Sequence, residues 1–353
     1  HTHLGFRRGD EPQGGSFSSW VRELVSRLPE KGAWTAEAAR NSAREAIASG
    51  TTFIADSSPY GECLPQLAES GLAGIAYVEF FPFQFNTPEE AVDCIEKKVF
   101  DLREGLPSRV AVEMSVHALY TVDPKSSWLA AQRTRERGDR LSIHLSESPE
   151  EIEFVRKGTG GLENVFEVFG FRADWGGADV SPVRYAESMG LLWPGTIAAH
   201  LATGVSEEDI EILARTGVAA AHCPRSNVYL GCGLSPVPEM LERGVRVGMG
   251  TDGLWSSPSM NLFEETLFAV KLHGFDGETG LKLATLFGAR ALGVEGETGS
   301  LSTGKWADFA VIEAAPQNLA GNSTEMEILE AAAGGGVAAT VVGGELVHNR
   351  LGA

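Results

Sequence analysis

An α/β fold organised as a (β/α)8 barrel is predicted by three observations. Short β-branched or apolar runs alternate with amphipathic helical stretches along most of the chain. Those runs are continuously apolar, as strands covered on both faces of a parallel sheet must be. A histidine or an aspartate stands at or just beyond the end of five of them: His117, His144, His200, His222 and Asp252. In a parallel barrel the C-terminal ends of the strands form the catalytic face, so side chains placed there converge.

The elements follow in order. A helical stretch from Thr35 ends at Gly50, a glycine stop, and leads into the strand Thr51 to Asp56. Ala73 to Phe80 is the next strand, and a helix runs from about Pro88 to Glu104. Arg109 to His117 precedes a helix starting near Pro124. Arg140 to Glu147 precedes a helix opened by Ser148, Pro149 and two glutamates, a good start on capping and dipole grounds. Thr196 to Ala202 is followed by a helix with Ser206 as N-cap and Gly217 as stop. Val218 to Pro224 leads to "PVPEMLERG", and Val245 to Asp252 leads to a helix beginning near Met260. That makes seven strand-then-helix units. The opening "HTH" reads as the tail of one more strand, the first, which brings the count to eight. On this reading the body of strand one is missing, and the ring without it has two unpaired edges.

Composition narrows the class. Hydrophobic residues make up 43% of the 353 and charged residues 22%, which leaves ample material for a core. A formal net charge of -19 argues against nucleic acid or an anionic membrane surface as partner. No apolar run is long enough to span a bilayer. The four cysteines, Cys63, Cys94, Cys223 and Cys232, form no CxxC pair and are too few for a disulfide scaffold, so a cytoplasmic location is the default. The expected partner is a small-molecule substrate, and the unused barrel flank is available for a homodimer.

Alternate residues of a strand point to one side, so His1 and His3 can aim both imidazoles at one point. Neutral imidazole is a common metal ligand, and a catalytic site keeps a position open for water. Alone, an HxH pair, a His144–Glu147 spacing or a Gly-Thr-Asp-Gly turn is weak evidence. The ordered set at successive strand ends predicts a metal centre.

The motifs "HTH", "HLSE", "AHLATG", "AHCPRSN" and "GTDG" resemble the amidohydrolase superfamily, in its cytosine-deaminase-like and chlorohydrolase-like branch. The resemblance covers essentially the whole chain. It implies a TIM-like barrel over residues 1–292 and a C-terminal segment, 293–353, that completes the barrel and contributes to a small β-sandwich through "TGSLSTGKWADFAVIE" and "ATVVGGELVHNR". It also implies that His1, His3, His144 and Asp252 bind one divalent metal, zinc first with iron as the alternative, since no lysine stands where two-metal members carry a bridging one. Glu147 would shuttle protons, and His200 would hold the activated water or the substrate. His117 would contact substrate, with Val116 standing where the family usually has proline. Within the branch, "SPVRYAESMGLL" and "AHCPRSN" look like aminodeoxyfutalosine deaminases of menaquinone biosynthesis. "GTDGLWSSPSMNLFEE" looks equally like S-adenosylhomocysteine or methylthioadenosine deaminases.

That chemistry suits these residues. Hydrolytic deamination adds water to an electron-poor ring carbon and expels ammonia. A metal lowers the pKa of bound water toward ~7, and Asp252 can take the proton released. Glu147 can protonate the ring nitrogen beside the attacked carbon and then the departing amine, as a general acid does. The expected function is therefore deamination of an adenine-containing nucleoside or metabolite, 6-amino-6-deoxyfutalosine first. A methylthioadenosine-type deaminase, a guanine deaminase, a chlorohydrolase and a non-catalytic binding protein are the alternatives. Arg225 is the candidate partner for a substrate carboxylate, with Arg7 and Arg8 in reserve. His222 is read as packing under its loop, and His273 as a surface residue. The insertion from Gly158 to Pro194 is a candidate lid. The "AAAGGGVAAT" stretch is read as a flexible connection.

Overall fold

The computed structural model describes residues 1–9, 11–12, 15–27, 36–313 and 323–351. Thr35, the expected first residue of a helix, and residues 352–353 lie outside the described residues. Strands β1 (Thr2–His3), β2 (Phe53–Pro59), β3 (Ala73–Phe80), β4 (Val110–Ala118), β5 (Leu141–Leu145), β6 (Thr196–His200), β7 (Ala219–His222), β8 (Arg246–Met249) and β9 (Asp252–Gly253) make one sheet. Every pairing in it is parallel. Helices between the strands cover its outer face, as the alternation of patterns predicts.

The local signals act as expected. Ser148 caps the helix Pro149–Lys157, and Gly158 ends it in the left-handed region. Ser206 and Asp209 form a reciprocal capping box on the helix Glu207–Thr216, and Gly217 closes it. Inside the ring, Ala55, Ile75, Tyr77, Ile197, Ala199, Ala219 and Ala221 form a small cluster of their own, while the larger core lies between sheet and helices. Gly74 is required where β3 meets β2, because a Cβ there would sit 2.4 Å from the Ile54 carbonyl oxygen.

The expected pair of open edges is partly closed. β9 continues β8 after Gly250 and Thr251, and the two residues of β1 pair with both β2 and β9: Thr2 lies opposite Asp56 on one side and Asp252 on the other. The ring is thus joined at the end that carries the histidines. Beneath β1 a cavity of about 540 Å³ opens between β2 and β8, with Phe53, Ile54, Tyr77, Met249 and Leu283 in its walls.

Strands β10 (Phe309–Ile312), β11 (Val337–Val342) and β12 (Glu345–Asn349) form an antiparallel sheet in that order. The stretch read as a flexible connection is ordered: Ala331 to Ala333 finish the helix Thr324–Ala333 and Val337 starts β11. That helix packs on the helices Leu262–His273 and Gly277–Ala284, and this contact fixes a segment whose composition alone looked slack. Among the described residues no helix is long and apolar enough to cross a membrane.

Candidate metal centre and active site

Five strand ends bring their polar side chains to one place. β1 supplies His3, with His1 just before it, β4 His117, β5 His144, β6 His200 and β9 Asp252. His3 Nε2 lies 3.6 Å from Asp252 Oδ1 and 3.3 Å from His144 Nε2, and His1 Nε2 lies 3.9 Å from the same carboxylate oxygen. Ligand atoms of His1, His3 and Asp252 all fall within 4.8 Å of one another, as do those of His1, His144 and His200. All are buried or nearly so. The Nε2 atoms of His1 and His200 are buried without a hydrogen-bond partner. Orphaned imidazole nitrogens facing a carboxylate are costly unless something cationic completes them, so the donor set fits a divalent metal.

Surrounding groups fix two of the rings and the carboxylate. His144 Nδ1 donates to the His117 carbonyl at 2.9 Å, which leaves Nε2 for the centre. His200 Nδ1 donates to Asn227 Oδ1 at 2.9 Å. Ser226 and Ser256 hydroxyls donate to Asp252 Oδ2 at 2.6 and 2.7 Å, leaving Oδ1 turned toward the histidines. The "PRSN" turn thus holds two members of the site by adjacent residues. Glu147 is positioned by its loop: the Glu151 carboxylate accepts from the backbone N–H groups of Ser146 at 3.0 Å and Glu147 at 2.8 Å. Its Oε1 sits 3.6 Å from His200 Nε2.

Burial governs the protonation states. It pushes the His144 pKa well down, with His117 beside it adding to the effect, and lowers His200 and His3 as well. His117 is brought down to about 3 by the same cause. Burial thus favours the neutral imidazole at His3, His117, His144 and His200, the form that ligates a metal. Burial, with Asp252 nearby, holds the Glu147 carboxyl well above the usual range, the direction that suits a general acid. Burial also opposes ionisation of Asp252. There the Ser226 and Ser256 hydroxyls, donating to Oδ2, favour the ionised form.

The pocket above the centre is lined by His3, His117, His144, Glu147, His200 and Asp252 at its floor. Phe17, Trp20, Val21, Leu24 and Val25 of the helix Phe17–Arg27 wall one side, and Phe81 and Phe166 wall the other. Phe166 comes from the 158–194 insertion and joins Phe83, Phe169 and Phe171 in a stack at the mouth, so the insertion does border the pocket. Glu79, near the end of β3, also lines the floor, and sequence reasoning did not single it out. The available signal was a lone carboxylate closing an otherwise apolar strand.

Two expectations are corrected. Arg225 does not line the pocket. Its guanidinium is engaged by Glu264, Glu265 and the Ser259 hydroxyl, away from the residues that line the pocket. His273 is not a plain surface residue: its Nε2 lies 3.1 Å from Nε2 of His222, whose ring points outward from β7 into the helical layer. Arg8 is taken up by Glu45 and the Pro258 carbonyl.

The chain belongs to the amidohydrolase family, whose model matches residues 1–347. It is 30% identical to a 5'-deoxyadenosine deaminase of Methanopyrus kandleri over 343 residues, 93% of this chain and 74% of that protein. It is 31% identical to a 5-methylthioadenosine/S-adenosylhomocysteine deaminase of Aquifex aeolicus over 254 residues, 68% of this chain and only 54% of that protein. Among solved structures, an aminofutalosine deaminase of Helicobacter pylori superposes with a TM-score of 0.82 at 24% identity, covering 99% of this chain and 84% of the other. A zinc-complexed atrazine chlorohydrolase of Arthrobacter aurescens superposes at 0.81 with 20% identity, covering 99% and 82%. One barrel therefore serves both deaminases and a dehalogenating hydrolase, and the fold does not decide between them.

Proposed function

We propose that the chain is a metal-dependent hydrolytic deaminase of 6-aminopurine nucleosides with an altered 5' position, releasing ammonia and the 6-oxo product. The observation that carries the reading is Glu147: a buried carboxyl 3.6 Å from His200 Nε2 at the pocket floor. His1, His3, His144 and Asp252 would hold the ion, and zinc is the ion we assign first, with iron, which takes the same imidazole and carboxylate donors, as the alternative. When bound, the ion activates water at neutral pH.

The side chains do the rest. Asp252, kept ionised by Ser226 and Ser256, accepts the proton that water loses. Glu147 delivers a proton to the ring nitrogen N1, which makes C6 more electrophilic, and regains one from the hydroxyl added at C6 as the carbonyl forms, while Asp252 passes the proton it took to the amine as the C6–N bond breaks. His200, turned by Asn227, presents Nε2 to the attacking oxygen. The aromatic and aliphatic side walls exclude water and suit a flat base.

A relative named for methylthioadenosine and S-adenosylhomocysteine spans uncharged and zwitterionic 5' substituents, and one named for 5'-deoxyadenosine supports an uncharged one. So does the pocket, which has no lysine or arginine among its described lining residues. 6-Amino-6-deoxyfutalosine is the second reading, favoured by the Phe83, Phe166, Phe169 and Phe171 stack, on which an aryl group could lie.

The test is to incubate the metal-loaded protein with 5'-deoxyadenosine, methylthioadenosine, S-adenosylhomocysteine, aminodeoxyfutalosine, adenosine and guanine, following the purine ultraviolet band and ammonia. Turnover of an adenine nucleoside, abolished by Glu147→Gln with metal retained, is the expected result. No turnover of any purine by a protein holding one metal would refute the reading.

A further inference from the structure

We propose that Glu79 accepts a hydrogen bond from the exocyclic amino group of the substrate and so makes the site selective for an amine as the group displaced. The proposal rests on the deaminase reading above. Glu79 lies on the same face of β3 as Ile75 and Tyr77, whose side chains fill the inside of the ring, and it is 1% exposed. Its carboxyl therefore enters the barrel at the catalytic end, opposite Ser115 of β4.

Nothing within the described chain satisfies it. Glu79 Oε1 is buried without a hydrogen-bond partner. The nearest titratable nitrogen, His144 Nδ1, is 3.9 Å away, beyond hydrogen-bond reach, and already donates to the His117 carbonyl at 2.9 Å. A buried carboxyl oxygen left unpaired is costly, so its partner is something that enters the pocket.

Position identifies the partner. A Glu79 oxygen lies within 4.8 Å of the ligand nitrogens of His3 and His144, so the part of a substrate that reaches it is the reacting end. On the reacting edge of a 6-aminopurine, N1 and N7 offer lone pairs, and N1 is the atom Glu147 protonates. The amino group alone carries N–H donors there. A carboxyl oxygen in either protonation state accepts from such a donor. Glu147 and Glu79 thus divide the edge: the first protonates, the second recognises. A 6-chloro or 6-methoxy substituent brings no donor and leaves Glu79 as unpaired as it was.

The experiment uses the metal-loaded chain and three variants, Glu79→Gln, Glu79→Leu and Glu79→Met, the last similar in length should the leucine variant not fold. Each is assayed on an adenine nucleoside and on its 6-chloro and 6-methoxy counterparts, with metal content measured in parallel. A second readout is equilibrium binding of the amino nucleoside against the nucleoside lacking a 6-substituent, in a Glu147→Gln background. We expect Glu79→Leu and Glu79→Met to lower kcat/KM for the amine by about tenfold or more, as loss of one hydrogen bond in a dry site does. The chloro and methoxy substrates should change little, and each chain should keep one metal. Glu79→Gln, which retains an oxygen acceptor, should keep most of the preference for the amine. Equal losses on amine and chloride, no change in the binding ratio, or loss of metal with loss of the carboxyl would overturn the proposal and make Glu79 a structural or metal-holding residue. If wild type deaminates the amino nucleosides and those losses are equal, this inference alone falls. If wild type deaminates none, the deaminase reading falls with it.

Discussion

Asn227 Oδ1 accepts from His200 Nδ1 at 2.9 Å, and this contact decides which nitrogen of His200 faces the metal centre. A neutral imidazole has one N–H; spending it on Asn227 leaves Nε2 as an acceptor toward the pocket floor. Removing the carbonyl frees the ring to rotate or change tautomer. Asn227→Leu should lower kcat by about 10–100-fold, while Asn227→Asp, which keeps an acceptor, should lose less. Metal analysis of both proteins provides the control. A leucine variant with full activity would show that His200 is oriented by something else.

Arg225 has a different job from the one its motif suggested. With 14% of its side chain exposed, it neutralises Glu265, whose side chain is fully buried. Even with that partner, burial holds the Glu265 pKa up at about 7. Breaking such a pair from one side strands a buried charge, and Arg225→Ala should cost about 3 kcal/mol of stability in urea unfolding. The KM values for carboxylate-bearing and uncharged nucleosides should shift together, if at all. A selective rise for the carboxylate substrate would restore Arg225 to the pocket.

His222 predicts a pH dependence that the active site does not set. Burial, with His273 and His200 nearby, pushes its pKa down to about 3. The unfolded chain takes up a proton below pH 6.5 and the folded chain does not until about 3. The stability linked to the neutral ring is therefore complete above pH 6.5 and declines as pH falls, by about 1.4 kcal/mol per unit. Glu151, raised to about 8, and Asp56, raised to about 7, work in the opposite direction, so wild type alone is ambiguous. The difference in unfolding free energy between wild type and His222→Asn isolates the term. It should shrink by about 2 kcal/mol between pH 6.5 and 5, and a difference independent of pH would remove His222 from the account.

The pocket as folded holds about 70 Å³. Sites for ligands of nucleoside size enclose about 300 Å³ or more. The helix Phe17–Arg27, anchored to the barrel by the Ser18 N–H on Glu150 Oε2 at 2.8 Å, supplies most of one wall. Trp20 on that helix has an indole N–H without a partner. Ligand entry should displace the helix and change Trp20 fluorescence, a signal that Trp20→Phe abolishes and Glu150→Gln speeds up. Tight binding with no movement of this helix, by hydrogen exchange, would mean that the space comes from the Phe166 side instead.

How much of this was legible in the sequence depended on the kind of signal. The strand ends were readable because apolar runs that stop at His117, His144, His200 and Asp252 mark both the strand and its catalytic terminus. Two residues of β1 carried enough alternation to aim His1 and His3 together. Partnership was not readable. Arg225 pairs with glutamates some 40 positions later in the chain, His222 meets His273 across two layers, and the Asn227 and Ser226 contacts exist only after β6, β7 and β9 are side by side. Glu79 was hidden by its own strand, where one acidic residue among apolar neighbours has the same appearance whether it ends at solvent or in a pocket.

Four residues at this site hold their backbones in the left-handed region without being glycine: Ser146 at φ 51°, His200 at 73°, Leu201 at 46° and Asp252 at 59°. Such conformations cost about 1–3 kcal/mol each and persist only where surrounding contacts enforce them. They also set the terms on which the site can be probed. A β-branched replacement at 200 or 252 fails because its backbone cannot stay there, whatever its side chain would have done. Asparagine tolerates the region best among the non-glycine residues, so Asp252→Asn and His200→Asn report on chemistry, whereas a valine or threonine scan of the same positions reports mainly on the bend of the chain.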